Sequence, residues 1–269
     1  MIKLILALLL MLGTFQEDPQ VELKSDRVPA TVTDGSCLIQ NATFITMSSL
    51  GTLRGDLLIQ DGKIVKVGGK IQAPAGIKVI DAAGLQITPG IIDCHAHIAT
   101  QGGLNEGSQS VTPEVRVSDT LNPDDVAIYR ALAGGTTLAN VLHGSANTIG
   151  GQNAVIKLRY GKRNLLFKKA PRGIKFALGE NVKQSNYSRN LGKRFPNTRM
   201  GVEATLRRSF TEAKAYIAKW DGWEKSPDGP KPRKDLRLET LADILRGKIL
   251  VHSHCRSKTS KHQPSRNKE

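Results

Sequence analysis

The feature that most constrains the fold is an alternation of short apolar strands with helical segments that begins after Gly90. Strand-like runs are predicted at 91–94, 136–142, 154–158, 173–178 and 248–251. Helices are predicted over 123–133, 203–220 and 236–245, and the first of them ends at Gly134 and Gly135. Strands that alternate with helices favour βα units and a parallel sheet.

The length of this region predicts an unfinished barrel. A closed (β/α)8 barrel of the TIM type takes about 250 residues, whereas residues 90–255 hold only about five predicted strands. We therefore expect an α/β protein whose second domain, over 90–255, is an incomplete (β/α)8 barrel.

The preceding region, residues 18–89, has the pattern of a small β domain. Runs at 36–39 and 42–46 are β-prone and are broken by Gln40 and Asn41. Asp61 and Gly62 lie between runs at 56–60 and 63–67, which is the strongest short hairpin signal. Two further runs, at 77–80 and 85–87, complete a predicted β-sandwich portion with no chemistry of its own.

The two ends of the chain carry their own signals. Residues 1–17 hold one lysine and then about nine apolar residues, which is typical of a secretory signal peptide and shorter than the roughly 20 residues of a membrane span. The sequence thus predicts export to a periplasmic or extracellular location, with no stable membrane span after signal removal. Residues 256–269 are basic and polar, and we expect a disordered tail.

Composition argues against a nucleic-acid partner although the net charge is +15. The basic residues are scattered, and aromatic residues make up only 4% of the chain, so stacking platforms for bases are scarce. The three cysteines do not form a CxxC motif, which excludes a zinc ribbon or a thioredoxin-like site.

The histidines supply the strongest signal for chemistry. Four of the six lie in two His-x-His pairs that follow apolar strands, His95 with His97 and His252 with His254. Side chains at i and i+2 of a strand point to the same face, so each pair can reach one metal ion. His143 is a third histidine at a strand end, where it could orient a substrate or make an ordinary loop hydrogen bond.

The run from Thr88 to His97, together with 56–59, 61–64 and 79–84, closely resembles the opening of the amidohydrolase superfamily, most of all its imidazolonepropionase-like branch. The resemblance covers roughly residues 36–255. It implies a split β-sandwich beside a (β/α)8 barrel that holds one or two divalent ions, with zinc as the first choice. It also implies hydrolysis of carbon–nitrogen bonds in small amides or cyclic amides by metal-activated water.

The resemblance also assigns metal ligands. His95 and His97 match the ligands on the first barrel strand, and His252 matches a ligand on a middle strand, with His254 as the less favoured choice. For the bridging ligand there are two candidates, which follow or lie within the strand at 173–178. Glu180 is preferred because a side chain near the carboxyl end of the strand reaches a metal more easily, and Lys175 resembles a position at which some members carry a carboxylated lysine.

The sequence departs from the family pattern after Cys255. A later histidine and the aspartate that the family uses as general base have no counterpart in 256–269, so the catalytic residue is unknown and the chain resembles a truncated member. We expect hydrolysis by this chain to be impaired. The alternative is a non-catalytic remnant or a metal-binding secreted protein, and the sequence leaves the substrate and the oligomeric state open.

Overall fold

The computed structural model describes residues 22–29, 31–187 and 194–255, and side chains are described for all of these except 184–187. The predicted signal segment and the basic tail lie outside the described residues. The chain divides into two compact units with the boundary between Pro89 and Gly90.

The first unit is built on one mixed sheet. After a short 3-10 turn at Lys24–Asp26 come β1 (Cys37–Ile45), β2 (Thr52–Gln60), β3 (Lys63–Gly68), β4 (Lys78–Asp81) and β5 (Gln86–Ile87). The sheet order is β3-β2-β1-β4, and β5 also pairs with β1. The described residues of this unit supply one sheet, so the second layer of the predicted sandwich stays a prediction.

The break predicted at Gln40 and Asn41 is a bulge inside one strand. The pairing of β1 with β2 changes register between Ile39 and Ala42, and Asn41 has a positive φ of 63°. The buried carboxylate of Asp56 accepts the Asn41 backbone N–H at 3.1 Å and that of Ile71 at 2.8 Å. Asp56 thereby satisfies two backbone donors that the sheet leaves without a ladder partner.

The described part of the second unit forms two three-stranded sheets. Its strands are β6 (Ile91–Ala96), β7 (Thr136–Val141), β8 (Ile149–Gln152), β9 (Ala154–Lys157), β10 (Gly173–Ala177) and β11 (Leu250–His254). One sheet has the order β6-β7-β9 and the other β11-β10-β8. Each sheet holds a parallel pair, β6 with β7 and β10 with β11.

The prediction of a purely parallel sheet is wrong for the middle of the unit. The strand predicted at 154–158 pairs antiparallel with β7, and β8, which the sequence did not reveal, pairs antiparallel with β10. No helix lies between β7 and β8 or between β8 and β9. The segments between the antiparallel partners, 142–153 and 153–172, contain no α-helix, so neither is a helical crossover of the kind that joins parallel strands.

Among the described residues, four α-helices accompany these sheets: α1 (Val126–Ala133), α2 (Glu180–Tyr187), α3 (Arg199–Lys225) and α4 (Leu236–Leu245). A 3-10 turn spans Val117–Thr120. Side chains cap three helices at their N-termini, where Asp125, Thr198 and Asp235 accept otherwise unpaired backbone N–H groups. The unit is therefore a mixed α/β structure, and its closure into a barrel stays a prediction.

The helices bury the outer faces of the two sheets. Ile128 of α1 packs with Val141 and Ile156 of one sheet, all fully buried. Ala213 of α3 and Leu241 of α4 pack against the other sheet in a second cluster. Burial of a large aliphatic side chain contributes about 1.5–3 kcal/mol.

The strands at the free edges carry exposed apolar side chains. Ile91 and Ile92 of β6 are 56% and 62% exposed, and Leu250 and Val251 of β11 are 52% and 44% exposed. Within the described ranges, none of the helices has the length and apolar character that crossing a bilayer requires.

Candidate metal centre

The first histidine pair converges at the end of β6. Ala96, between the two histidines, is buried in the core, which turns His95 and His97 to the opposite side of the strand. Their Nε2 atoms lie 3.1 Å apart. His97 Nδ1 lies 3.0 Å from the carbonyl oxygen of Leu142. A carbonyl only accepts, so Nδ1 donates the proton and Nε2 is left with a free lone pair for a metal.

Lys175 of β10 completes this group. Its side chain is almost fully buried, with 1% of the residue exposed, and its Nζ lies 3.1 Å from His95 Nε2. Desolvation lowers the pKa of Lys175. The pKa of His95 is lowered first by desolvation and then by Lys175, His97 and His254, while Asp93 opposes the shift. The surroundings therefore favour neutral nitrogens, which is the protonation state that metal ligands need.

The second histidine pair lies beside Lys175 on the neighbouring strand. In the parallel pairing of β10 with β11, Lys175 is opposite His252 and Ala177 is opposite His254. Desolvation and the proximity of Lys175 lower the pKa of His252. His254 Nδ1 is 2.9 Å from the Ser145 hydroxyl. The strand register places His252 opposite Lys175, which favours His252 as the third imidazole. His254, however, is the histidine of this strand that contributes to lowering the pKa of His95, so both histidines remain candidates.

Glu180, the preferred bridging candidate, is engaged elsewhere. It begins α2 and pairs with Lys183 at 3.0 Å and Arg199 at 3.5 Å. The hydrogen bond from Lys183 is the main cause of its lowered pKa. The structure thus brings Lys175 next to His95, and the contacts described for Glu180 are with cations of its own segment and of α3. Its role as a ligand stays a prediction.

His143 is only 2% exposed, and both of its ring nitrogens are used. Nε2 accepts the backbone N–H of Glu106 at 3.0 Å, and Nδ1 donates to the Gly144 carbonyl at 2.8 Å. Burial is the main cause of its lowered pKa. This geometry matches the alternative of a hydrogen-bonded loop histidine, and its contact with substrate stays a prediction.

Sequence reasoning missed the polar residues that surround this histidine. Glu106, Ser145, Asn147 and Arg194 lie in irregular segments, where no periodicity marks a residue as buried or bonded. The loop after β6 and His143 also line a cavity of about 230 Å³. A cavity at the carboxyl ends of β6 and β7 lies where α/β proteins commonly bind small molecules.

The described residues contain no cluster of three or more His, Cys, Asp or Glu side chains placed to hold a metal. Lysine is not one of those four residue types. Lys175 Nζ nevertheless lies 3.1 Å from His95 Nε2, as close as His97 Nε2 does. The site is therefore defined by two imidazoles and a buried amine, with a third imidazole on the adjacent strand.

Comparison with known proteins identifies the class to which this α/β fold with its histidine–lysine site belongs. The chain is 35% identical to the amidohydrolase tasK of Hapsidospora irregularis over 231 residues, which is 75% of this chain and 23% of that protein. It is 38% identical over 65 residues to a dihydroorotase of Pelobacter propionicus, covering 24% of this chain and 15% of the relative. A D-hydantoinase of Ralstonia pickettii is 39% identical over 100 residues, or 37% of this chain and 18% of the relative.

A crystal structure of an amidohydrolase from Thermotoga maritima superposes with a TM-score of 0.72 at 37% identity, over 81% of this chain and 57% of that chain. No family model matches the sequence. The chain belongs to the amidohydrolase superfamily. It spans less than a quarter of each of these three curated relatives and 57% of the solved structure.

Proposed function

We propose that this chain carries the metal-binding part of a hydrolase that cleaves carbon–nitrogen bonds in small amides or cyclic amides. The observation that carries the proposal is the meeting of His95, His97 and Lys175 nitrogens at 3.1 Å separations without an acid among them. Relatives named amidohydrolase, dihydroorotase and D-hydantoinase support hydrolysis as the reaction class. Metal dependence is the further step proposed here.

The donor set fits a divalent ion. His97 Nε2 carries a lone pair, and the pKa values of His95 and Lys175 are lowered. A divalent cation bound by these three nitrogens would remove the repulsion between their lone pairs. Imidazole nitrogens suit zinc and related ions, so zinc is the first choice, with one or two ions held by His95, His97 and His252. His254 is the alternative to His252.

Lys175 enters this set as a carboxylated side chain. Its neutral Nζ attacks carbon dioxide, the N–C bond forms as one C–O π bond opens, and one proton passes from the nitrogen to solvent water, which gives an anionic carbamate. Burial supports this step because it disfavours the protonated amine. The carbamate would supply the oxygen ligands for which Glu180 is the alternative.

The residues described here then have distinct roles. The Leu142 carbonyl orients His97, and buried Lys175 and half-buried His252 present two donors from neighbouring strands. The chemistry that a bound divalent ion supplies is Lewis acidity, which lowers the pKa of a coordinated water from about 15.7 to about 7. We assign no general base in this chain. We therefore expect it to bind a divalent ion and to hydrolyse amides slowly.

A metal titration tests the proposal. After removal of metal with a chelator, the wild-type chain should bind zinc and retain it through gel filtration, and the double variant His95→Ala/His97→Ala should not. The double variant Glu203→Ala/Arg207→Ala, which removes a solvent-exposed ion pair on α3, is the matched control and should bind like the wild type. Equal zinc retention by the histidine double variant would refute the proposed site. Hydrolysis by the zinc-loaded wild type is then assayed with hydantoin and dihydroorotate as substrates.

A further inference from the structure

We infer that Arg194 is a positioning residue for His97, acting through a polar network that is centred on buried Asn147 and His143 and joins three loops. The inference rests on the proposed ligand role of His97 and adds a residue that lies outside every strand and helix. Two of the loops follow β6 and β7, where His97 and His143 lie just beyond the strand ends, and the third is the segment between α2 and α3 that carries Arg194.

The guanidinium of Arg194 is bonded to two of these loops at once. Its Nη1 donates to the carbonyls of Gly107 and, at 2.6 Å, Gln109 in the loop after β6. Its Nη2 donates to the Ala146 carbonyl at 2.9 Å and to Asn147 Oδ1 at 3.0 Å in the loop after β7. The planar fork of arginine can serve several acceptors in fixed directions, which a lysine ammonium on its flexible stem does not reproduce.

Asn147 passes the connection to the loop after β6. Its Oδ1 is held by Arg194, so its Nδ2 points the other way and donates to the Glu106 carbonyl and to Thr112 Oγ1, each at 2.8 Å. The Glu106 backbone N–H then donates to Nε2 of buried His143 at 3.0 Å. Asn147 and His143 are almost fully buried, so breaking a bond of either side chain leaves a buried polar group without that partner, which favours one arrangement.

The network ends at the carbonyl that orients His97. Leu142 directly precedes His143, its N–H donates to the Ala96 carbonyl at 3.0 Å, and its own carbonyl accepts from His97 Nδ1 at 3.0 Å. Fixing His143 therefore fixes the acceptor that selects the tautomer of His97 with the proton on Nδ1. Outer hydrogen bonds of this type commonly change metal affinity by 10- to 100-fold.

The test uses the metal-free chain, so its outcome does not depend on metal binding. Nitrogen-15 spectra of the histidine rings should show His97 in one tautomer, protonated on Nδ1, in the wild type. Arg194→Met should give tautomer-averaged His97 signals, and Arg194→Lys should restore the wild-type signals only in part. Asn147→Ala, which cuts the network beyond Arg194, should have the same effect, and it replaces Arg194→Met if that variant fails to fold.

The matched control is Arg207→Met, which removes an arginine that is 80% exposed and bonded to Glu203 on α3. It should leave the His97 signals unchanged. Unaltered His97 signals in folded Arg194→Met and Asn147→Ala would overturn the inference, as would full restoration by lysine, because the fork would then be irrelevant. In a separate zinc titration, loss of about tenfold in affinity is expected for Arg194→Met; absence of zinc binding by the wild type would instead count against the proposed function.

Discussion

Lys175 has an environment unusual for a lysine, since the residue is 1% exposed and its Nζ lies 3.1 Å from an imidazole nitrogen. Lysine is rarely buried without a paired anion. None of the ion pairs found in the described part of the chain includes Lys175. A carbamate on this nitrogen that binds a metal would resolve the conflict.

Replacement of this side chain tests that reading at the residue scale. Lys175→Met keeps the aliphatic bulk and removes the nitrogen, so we expect zinc affinity to fall by at least about tenfold. Glu180→Gln should leave zinc affinity within about threefold of the wild type, because the carboxylate is paired with Lys183 and Arg199. Competition titration against a chelator measures both, and the reverse order would show that Glu180 is the ligand.

Asp56 gives a prediction on stability in the first unit. Asp56→Ala leaves the buried N–H of Ile71 and the N–H of Asn41 without their acceptor, and we expect a loss of about 3 kcal/mol. Hydrogen exchange of the full chain over 37–45 and 70–72 should accelerate. Asp34→Ala is the control because Asp34 is exposed and accepts only a local bond from Ser36, so a comparable loss there would contradict the account.

The residues of the site were predictable to different degrees. The i, i+2 spacing of each histidine pair is a local property of a strand, so the sequence predicts that each pair shares a face. The approach of Lys175 to His95 joins residues 80 positions apart and depends on how two sheets pack. Proximity to a strand end favoured Glu180 as a ligand. Lys183 is its i,i+3 neighbour on α2, a local pattern, whereas Arg199 approaches from α3 and no local pattern reveals that contact.

At the scale of elements, the β2–β3 hairpin follows closely from the sequence. Asp61 and Gly62 have φ of 50° and 71°, the left-handed region that this turn requires at both positions. The helix predicted at 236–245 has the bounds of α4, and α3 extends at both ends beyond the predicted 203–220. Turn chemistry and helical periodicity are local, whereas the partners of β8 and β9 are decided by distant residues.

The turn can be tested with a pair of glycines. Gly62→Ala forces a side chain into a left-handed conformation and should destabilise the hairpin by about 1 kcal/mol. Gly69→Ala is the control, because its φ is not in that region and an added Cβ meets no atom within 4 Å. Denaturant unfolding gives the free energy of unfolding of both variants, and hydrogen exchange at residues 57–67 reports on the hairpin itself. Equal destabilisation by Gly62→Ala and Gly69→Ala would show that the left-handed turn conformation does not determine the stability of the hairpin.

At the scale of the whole molecule, the exposed apolar faces of β6 and β11 have the largest consequence. Edge strands with exposed backbone and apolar side chains promote association between chains. Ile92→Lys should therefore reduce association, seen as lower light scattering at raised protein concentration. Leu236→Lys is the control, since Leu236 is 66% exposed on a helix, and equal reduction by both would show that net charge alone is responsible.

The central claim is that the nitrogens of His95, His97 and their neighbours hold a divalent ion. X-ray absorption at the zinc edge of the zinc-loaded, gel-filtered chain tests this most directly. We expect zinc bound by nitrogen and oxygen atoms, with the outer-shell scattering of two or three imidazole rings, and loss of that imidazole signal in His95→Ala/His97→Ala. A spectrum of oxygen ligands without imidazole scattering, or one unchanged in the double variant, would contradict it.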